Sequence, residues 1–300
     1  MKKSLLQNQI LRTSPVKPPL VIAHRGASGL APENTIAAFK LALAMGADGI
    51  ELDIHLSADG NPVVIHDTRI NRTTNGIGRI QHFTVAELQK FDAGSWFARR
   101  LALRPLTRKR VEQAMANNSN WMNLPDSVTK ANCHFKIDFS AERVPTLEEV
   151  FALLGPARLQ RIYVELKGES SRKQALLEAT VALINKFKLQ KSVTLLSFDH
   201  QIIAEAKKLA PAIRTAATLP ATKNAIVTSR SIIKTVRQAS ADEAALHFGL
   251  ATRRTVAALH EQGLAVSVWT ANNKMVMRRL IASQVDTIMT NFPERLFELL

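Results

Sequence analysis

An alternation of short apolar runs with amphipathic helical stretches is the feature that most constrains the fold of this chain. It begins at Leu20 and continues to the C-terminus. Eight apolar runs are typical of strands, and each precedes a helical stretch: residues 20–24, 48–55, 161–167, 192–198, 212–218, 243–248, 264–269 and 285–290. Because repeated strand–helix units require right-handed parallel crossovers, eight of them predict an α/β fold, a closed (β/α)8 TIM barrel. An open doubly wound sheet is the alternative.

Two further patterns add detail after the second strand. A run at 62–67 follows an Asp-Gly-Asn turn, and therefore predicts a hairpin partner for that strand. The spacing Thr-x-x-Glu occurs at 84–87 and at 146–149. In such a capping box the hydroxyl and the carboxylate satisfy free backbone amides, so both places are predicted helix starts.

The rhythm of strands and helices is interrupted at residues 98–142, which are polar and basic. We interpret this segment as an insertion between strand 2 and helix 2, on the catalytic face of the barrel. Residues 1–19 form a predicted basic N-terminal tail. The domain prediction is therefore one barrel over 20–300, interrupted by the insertion.

The net charge is the unusual number in the composition. Lys and Arg total 40 and Asp and Glu 25, which gives a formal charge of +15. The surplus lies in the tail, the insertion and residues 206–241, and the rest of the chain is balanced. Such a charge suits phosphorylated ligands, an anionic lipid surface or nucleic acid. The basic stretches contain few aromatic residues, so we expect no specific nucleic-acid partner.

Targeting signals and cysteine chemistry are weakly represented. The chain starts with basic residues, but polar residues at 7–9 interrupt the apolar stretch that follows them. The start therefore does not have the apolar core of a signal peptide. No apolar run approaches the ~18 residues of a transmembrane helix. The single cysteine, Cys133, excludes an internal disulfide and a thiolate zinc cluster. A cytoplasmic location is the resulting expectation.

Candidate chemistry begins with two carboxylates on the second strand. Glu51 and Asp53 are two positions apart and therefore share one face of that strand. Two carboxylates facing one interior repel each other and lose hydration, unless a cation lies between them. Oxygen ligands without cysteine suit one divalent cation, Mg²⁺ or Ca²⁺. A structural ion pair with Arg or Lys is the alternative.

Other polar residues stand at the ends of neighbouring elements. Glu165 and Lys167 repeat the i, i+2 pattern, as a candidate third metal ligand and a candidate cation for a phosphate oxygen. His24 and Arg25 end the first strand, and His66 ends the hairpin arm. Since barrel enzymes place their chemistry at the carboxyl ends of strands, these residues are candidates for one site.

These segments resemble the glycerophosphodiester phosphodiesterase family. The resemblance covers roughly residues 20–97 and 143–297. Its motifs, in order, are AHRGASGLAPENTIAAF (23–39), GADGIELDIHLSADGNPVVIHD (46–67), RTTNGIG (72–78), VPTLEEV (144–150), VELKG (164–168), LSFD (196–199), VWTANN (268–273) and VDTIMTNFP (285–293).

The resemblance implies metal-dependent hydrolysis of glycerophosphodiesters to sn-glycerol 3-phosphate and an alcohol. A neighbouring glycerol hydroxyl attacks phosphorus, and water then opens the cyclic phosphate. The implied roles pair two acid–base histidines with three metal ligands and two phosphate-binding cations. The histidines are His24 and His66, and the metal ligands are Glu51, Asp53 and Glu165. The phosphate-binding side chains are Arg25 and Lys167. His24 is the preferred first base and His66 the acid, but the reverse fits the sequence equally well.

Five further polar or aromatic residues lie in or near these motifs. Glu33 of the PENT motif could lie near Arg25 or the metal, or simply carry helix-start charge. Trp269 could pack on the glycerol carbons or fill the core. His55 is interpreted as a packed strand-end residue, with a ligand or hydrogen-bonding role as the alternative. Asn291 and Asp199 are interpreted as helix N-caps, with polar groups at the barrel mouth as the alternative.

Three functions are compared. The leading one acts on water-soluble glycerophosphodiesters. A second keeps the chemistry but takes lysophospholipids, with basic segments docking on an anionic lipid surface. A third is a polyanion-binding barrel without catalysis, which gives no reason for buried carboxylate pairs. The sequence does not indicate an oligomeric state.

Overall fold

A computed structural model describes most of the chain and contains nine strands in that part. The described residues are 17–97, 139–157, 159–168, 170–221 and 227–300. The strands are β1 (Leu20–His24), β2 (Gly49–Leu56), β3 (Pro62–Val64), β4 (Arg161–Leu166), β5 (Val193–Ser197), β6 (Arg214–Leu219), β7 (Glu243–His247), β8 (Ala265–Trp269) and β9 (Thr287–Thr290).

Eight of these strands are parallel and close into a ring. The sheet order is β1-β9-β8-β7-β6-β5-β4-β2-β3, and β1 also pairs with β2. The register sets His24 opposite Glu51 and Asp53 opposite Glu165, so predicted site residues lie side by side at one end of the barrel. The predicted (β/α)8 barrel is confirmed, and the open-sheet alternative is wrong.

Helices cover the outside of this ring. They are α1 (Ile36–Ala44), α2 (Val85–Leu88), α3 (Leu147–Leu154), α4 (Lys173–Lys186), α5 (His200–Leu209), α6 (Ser229–Gln238), α7 (Arg253–His260), α8 (Lys274–Ala282) and α9 (Pro293–Phe297). Both predicted capping boxes are confirmed, at the starts of α2 and α3. Among the described helices, none has the length and apolar character needed to cross a membrane.

The predicted hairpin is also confirmed. β3 pairs antiparallel with β2 outside the ring, and Gly60 in the turn has a φ of +79°, which favours glycine. The chain then continues outside the barrel to residue 97, with 3-10 turns at Ile70–Arg72 and Ile80–His82. A small separate core stabilises this excursion. It brings side chains from outside the ring to the barrel mouth.

The two described ends of the predicted insertion lie together. Gly94 packs so closely on Phe139 that a Cβ at position 94 would lie 1.8 Å from the Phe139 carbonyl oxygen. The Phe97 and Phe139 rings meet edge-on at 5.8 Å. Glu142 accepts a hydrogen bond from the Ala37 amide at the start of α1. Most of the predicted insertion and tail, residues 98–138 and 1–16, lies outside the described residues.

The barrel interior is closed beneath the mouth by an apolar layer. Its members are Ile22, Tyr163, Leu196, Ala216, Ala245 and Met289. Below this layer, the Tyr163 hydroxyl donates to Glu243 at 2.8 Å and contacts Thr287 at 3.3 Å, while Arg214 lies 3.6 Å from Glu243. The polar groups of the floor are thereby separated from those of the mouth.

Aspartates at strand entries connect neighbouring strands. Each lies just before a strand and uses its Oδ2 to accept an amide from the preceding barrel strand. The pairs are Asp48 with Val21 at 2.9 Å, Asp242 with Thr215 at 2.8 Å, and Asp286 with Val266 at 2.7 Å. These bonds satisfy backbone amides where the ladder between the two strands begins.

Candidate active site

The carboxyl ends of the barrel strands surround an open cavity of about 430 Å³. It is lined by His24, Arg25, Glu51, His66, Glu165, Lys167, Leu196, Phe198, Thr218, Trp269, Thr270 and Met289. Two other predicted residues contact side chains that line this cavity. Asp53 is buried against Arg25 and Lys167, and Glu33 is bonded to Arg25. The structure therefore brings together every residue predicted for the site.

Three buried carboxylates form a cluster at one side of the cavity. Glu51, Asp53 and Glu165 each offer an oxygen, and these oxygens all lie within 4.8 Å of one another. Burial, and then repulsion from Asp53, raise the pKa of Glu51 well above its ordinary value and that of Glu165 to about 7. Burial acts the same way on Asp53, but Arg25 and Lys167 outweigh it and lower that pKa. The charged form is thus disfavoured for Glu51 and Glu165 and favoured for Asp53.

This donor set fits a divalent cation. Hard cations such as Mg²⁺ and Ca²⁺ prefer carboxylate oxygens, and a cation would relieve the repulsion that raises two of these pKa values. Oδ1 of Asp53 is buried and accepts no hydrogen bond from a described residue, but the Lys167 ammonium lies 3.3 Å from it as an ion-pair partner. The same ammonium lies 2.8 Å from Glu165. The ion-pair interpretation of the sequence and the metal interpretation are thus compatible.

His24 is held at the end of β1 with one nitrogen facing the cavity. Its Nδ1 lies 2.7 Å from Oδ1 of Asn291, which can only accept, so Nδ1 carries the proton. Nε2 is left with a lone pair, 3.8 Å from Glu51 and 3.5 Å from the Thr270 hydroxyl. Burial, and then Arg25, lower the pKa of His24 to about 4. A neutral imidazole of this kind can act as a base.

His66 comes from the hairpin excursion and is anchored in the same way. Its Nδ1 lies 2.6 Å from Oδ1 of Asp67, and its backbone carbonyl accepts from Nε2 of His55 at 3.0 Å. Burial lowers the pKa of His66, although Asp53 opposes this effect. His55 is buried, as the preferred interpretation expects, and its ring supports the backbone of His66.

Arg25 is fixed by a tight turn after β1. The residue has a φ of +57°, its amide donates to Glu51 at 3.0 Å, and its guanidinium contacts Glu33 and Asp53 at 2.8 and 3.1 Å. Gly26 follows with a φ of +76°, and a Cβ there would lie 2.6–2.8 Å from Ala38. Glu33 therefore lies beside Arg25, which is one of the placements predicted from the sequence.

An aromatic pair forms part of the cavity wall. Trp269 lies edge-on to Phe198 at 5.4 Å, and its indole Nε1 donates to the Ala245 carbonyl at 3.0 Å. The Phe198 ring is 43% exposed and lies 5.7 Å from the Lys167 ammonium. Trp269 thus packs on the core and also lines the cavity, and its contact with the glycerol carbons stays a prediction.

Some site contacts were not anticipated from the sequence. The cap interpretation of Asn291 is wrong, because α9 begins after Phe292. The alternative, a polar group at the barrel mouth, fits Asn291, but its bond to His24 was not predicted. Asp199 does cap α5, as expected. Asn34, in the PENT motif, donates to Asp53 at 2.9 Å, and Arg72, in the RTTNGIG motif, bonds Glu33 and Asp67. The motifs contained both residues, but only the fold shows which side chains they contact.

Comparisons with known proteins agree on one family. The model of the glycerophosphoryl diester phosphodiesterase family matches residues 24–295. A glycerophosphodiester phosphodiesterase of Caldanaerobacter subterraneus subsp. tengcongensis is 33% identical over 284 residues, which cover 93% of this chain and 97% of that protein. One of Bacillus subtilis is 31% identical, with coverages of 92% and 84%.

Solved structures give the same result. A phosphodiesterase from Oleispira antarctica, in complex with the product sn-glycerol-3-phosphate, superposes with a TM-score of 0.73 at 25% identity, over 94% of this chain and 96% of that one. A glycerophosphodiester phosphodiesterase from Agrobacterium tumefaciens gives 0.69 at 27% identity, over 93% and 98%. The family model spans nearly the whole barrel, and this chain belongs to the glycerophosphoryl diester phosphodiesterase family.

Proposed function

We propose that this chain hydrolyses glycerophosphodiesters to sn-glycerol 3-phosphate and an alcohol. One observation carries the proposal. His24 and His66, each anchored through Nδ1, line one cavity together with the carboxylate cluster and the cationic side chains of Arg25 and Lys167. The family membership supports it, as does the product bound to the Oleispira antarctica relative.

The substrate phosphate would be held by Arg25 and Lys167. Both line the cavity, and both are locked in place by carboxylates, so little side-chain entropy is lost on binding. Glu51, Asp53 and Glu165 would hold one divalent cation, Mg²⁺ or Ca²⁺, which when bound polarises a phosphoryl oxygen. The positive charge around the phosphate then stabilises the transition state.

Proton transfer is assigned to the two histidines. His24 is neutral at pH 7 and offers the Nε2 lone pair, so it removes the proton from the attacking glycerol hydroxyl. His66 protonates the leaving alcohol oxygen, because an anionic phosphodiester beside it favours the imidazolium form. The roles are exchanged when water opens the cyclic phosphate. Asn291 and Asp67 keep both rings in the required orientation.

The apolar side of the substrate would contact the aromatic wall. Trp269 and Phe198 line the same cavity as the charged residues, so the glycerol carbons can pack against them while the phosphate contacts Arg25 and Lys167. Because 43% of the Phe198 surface is exposed, this wall extends toward the solvent. That exposure favours a second candidate function on lysophospholipids, in which the acyl chain continues along Phe198 and the basic segments face an anionic lipid surface.

A product assay separates these functions. Release of sn-glycerol 3-phosphate from glycerophosphocholine and glycerophosphoethanolamine, restored by Mg²⁺ or Ca²⁺ after chelation, is the expected result. Release of the head group from lysophosphatidylcholine alone would favour the second function. Binding of polyanions without turnover of any of these substrates would favour a non-catalytic barrel, and full turnover in excess EDTA would contradict the metal assignment.

A further inference from the structure

A single exposed arginine joins two parts of the site that come from different loops. Arg72 lies in the 3-10 turn that follows the hairpin arm, outside the barrel ring. Its guanidinium contacts two carboxylates, Glu33 from the loop after β1 and Asp67 beside His66. We infer that Arg72 is a positioning residue that aligns Arg25 and His66 relative to each other, an inference that rests on the proposed function.

The first contact fixes the phosphate-binding side. Nη1 and Nη2 of Arg72 donate to the two oxygens of Glu33 at 2.9 and 2.8 Å. The Oε1 atom that accepts from Nη2 also accepts from Nη1 of Arg25 at 2.8 Å. Burial acts to raise the pKa of Glu33, but Arg72 and Arg25 outweigh it, so the carboxylate stays charged and binds both arginines.

The second contact fixes the acid–base side. Nε and Nη2 of Arg72 donate to the two oxygens of Asp67 at 2.7 and 3.2 Å. The same Oδ1 of Asp67 lies 2.6 Å from Nδ1 of His66. Asp67 is therefore clamped between Arg72 and His66, and the orientation of the His66 ring depends on both ends of this clamp.

The shape of the arginine head group matters as much as its charge. One planar guanidinium makes four hydrogen bonds here, two to each carboxylate, which a lysine ammonium cannot reproduce. Without a cation between them, Glu33 and Asp67 would repel each other. The loop that carries Arg25 and the His66 side chain would then lose their direct link, although the His66 backbone stays bonded to His55.

Loss of this link has a kinetic consequence. A displacement of 1 Å in a catalytic group can reduce the rate by about 10²-fold, even though the altered residue does not touch the substrate. Removal of the Arg72 charge also strengthens the effect of Asp67 on His66, which raises the pKa of that ring. The other charged groups that act on His66, namely Asp53, Arg25 and Lys167, remain in the variant.

The test compares Arg72→Gln and Arg72→Lys with Arg69→Gln, which removes an equal charge from an exposed neighbour outside the clamp. Turnover of glycerophosphocholine is measured across pH with saturating divalent cation, and thermal unfolding reports folding. We expect Arg72→Gln to reduce kcat by about 10²-fold. We also expect the limb of the pH profile that reports His66 to move to higher pH. The kcat of Arg72→Lys should stay at least ~10-fold below wild type, because a lysine ammonium cannot make the four hydrogen bonds of the guanidinium.

Each other outcome overturns a defined part of the account. If the wild type releases no sn-glycerol 3-phosphate, the proposed function fails and the inference fails with it. If the wild type is active and Arg72→Gln matches Arg69→Gln in kcat and pH profile, the inference alone is wrong. Should the glutamine variant not fold, the lysine variant decides, and a wild-type kcat in that variant would contradict the positioning role.

Discussion

The His24 ring and the Asn291 side chain, 267 residues apart in sequence, are joined by a hydrogen bond of 2.7 Å at the barrel mouth. His24 ends β1 and Asn291 follows β9, which is the neighbouring strand in the closed ring. The backbone N–H of Asn291 donates to Oδ1 of Asn272 at 2.9 Å, which holds the main chain of Asn291 beside His24. The tautomer of His24 is thereby set by closure of the barrel.

We expect Asn291→Leu to lower kcat about 10-fold or more with little change in KM, since the His24 ring loses its fixed tautomer and orientation. Asn291→Asp keeps an acceptor but adds a negative charge, which raises the pKa of His24 above about 4. Because the base must be unprotonated, activity in Asn291→Asp should be lost at a higher pH on acidification. Identical acid limbs in wild type and Asn291→Asp would contradict the role of His24 as base.

Asn34 provides a test of the carboxylate cluster that leaves all three carboxylates in place. Its Nδ2 donates to Oδ2 of Asp53 at 2.9 Å, and the contact is buried. Residues that orient metal ligands typically contribute 10–100-fold to metal affinity, so Asn34→Ala should weaken Mg²⁺ or Ca²⁺ binding by about that factor. Calorimetric titration of the metal-free protein measures it, with Asn61→Ala in an exposed turn as the control. Equal affinities in both variants would remove Asn34 from this role.

The floor of the barrel predicts a pH dependence of stability. Burial raises the pKa of Glu243 above its ordinary value of 4.5. Above pH 4.5 the folded protein keeps a proton that the unfolded chain has lost, so stability decreases as the pH rises through this window. Glu243→Gln removes this decrease of stability with pH, because the glutamine side chain does not titrate. Its amide oxygen can still accept the hydrogen bond from the Tyr163 hydroxyl. Relative to wild type, the free energy of unfolding of Glu243→Gln should rise with pH by up to about 1.4 kcal/mol per unit.

Denaturant unfolding between pH 5 and pH 8 measures this difference, and kcat is expected to stay unchanged because the apolar layer separates Glu243 from the mouth. Glu261→Gln, at an exposed position, is the control. Parallel stability curves for wild type and Glu243→Gln would show that Glu243 does not keep a proton in the fold.

The strand-entry aspartates predict a stability effect that is independent of the site. Asp286→Ala should lower the free energy of unfolding by about 1–2 kcal/mol, since the Val266 amide and the His260 ring lose the oxygen they share. Asp286→Asn retains an oxygen acceptor and should recover most of this loss. Chemical denaturation of the two variants tests the assignment, which is wrong if the alanine and asparagine variants lose equal stability.

The barrel was predictable from the sequence because its pattern is local. Each strand is a short apolar run, each capping box is a four-residue motif, and the number of strand–helix units indicates closure. Pairs such as Glu51 and Asp53 also lie within one strand, so their shared face follows from the strand period.

The supporting contacts depend on long-range geometry, and the sequence could not supply them. Asn291 has the spacing of a helix cap, and only the β1–β9 pairing brings it to His24. Arg72 reaches Glu33 across 39 residues, because the excursion after β3 folds back over the mouth. A polar side chain near a loop has many partners available to it, and the tertiary fold selects among them.

The most direct test of the account is the rate of sn-glycerol 3-phosphate release from glycerophosphocholine by His24→Ala and His66→Ala, with saturating divalent cation. His82→Ala, at an exposed position away from the cavity, is the matched control. Each site variant is expected to lose at least about 10²-fold in kcat, while His82→Ala keeps wild-type turnover. Near-wild-type turnover in either site variant would contradict acid–base catalysis by that histidine.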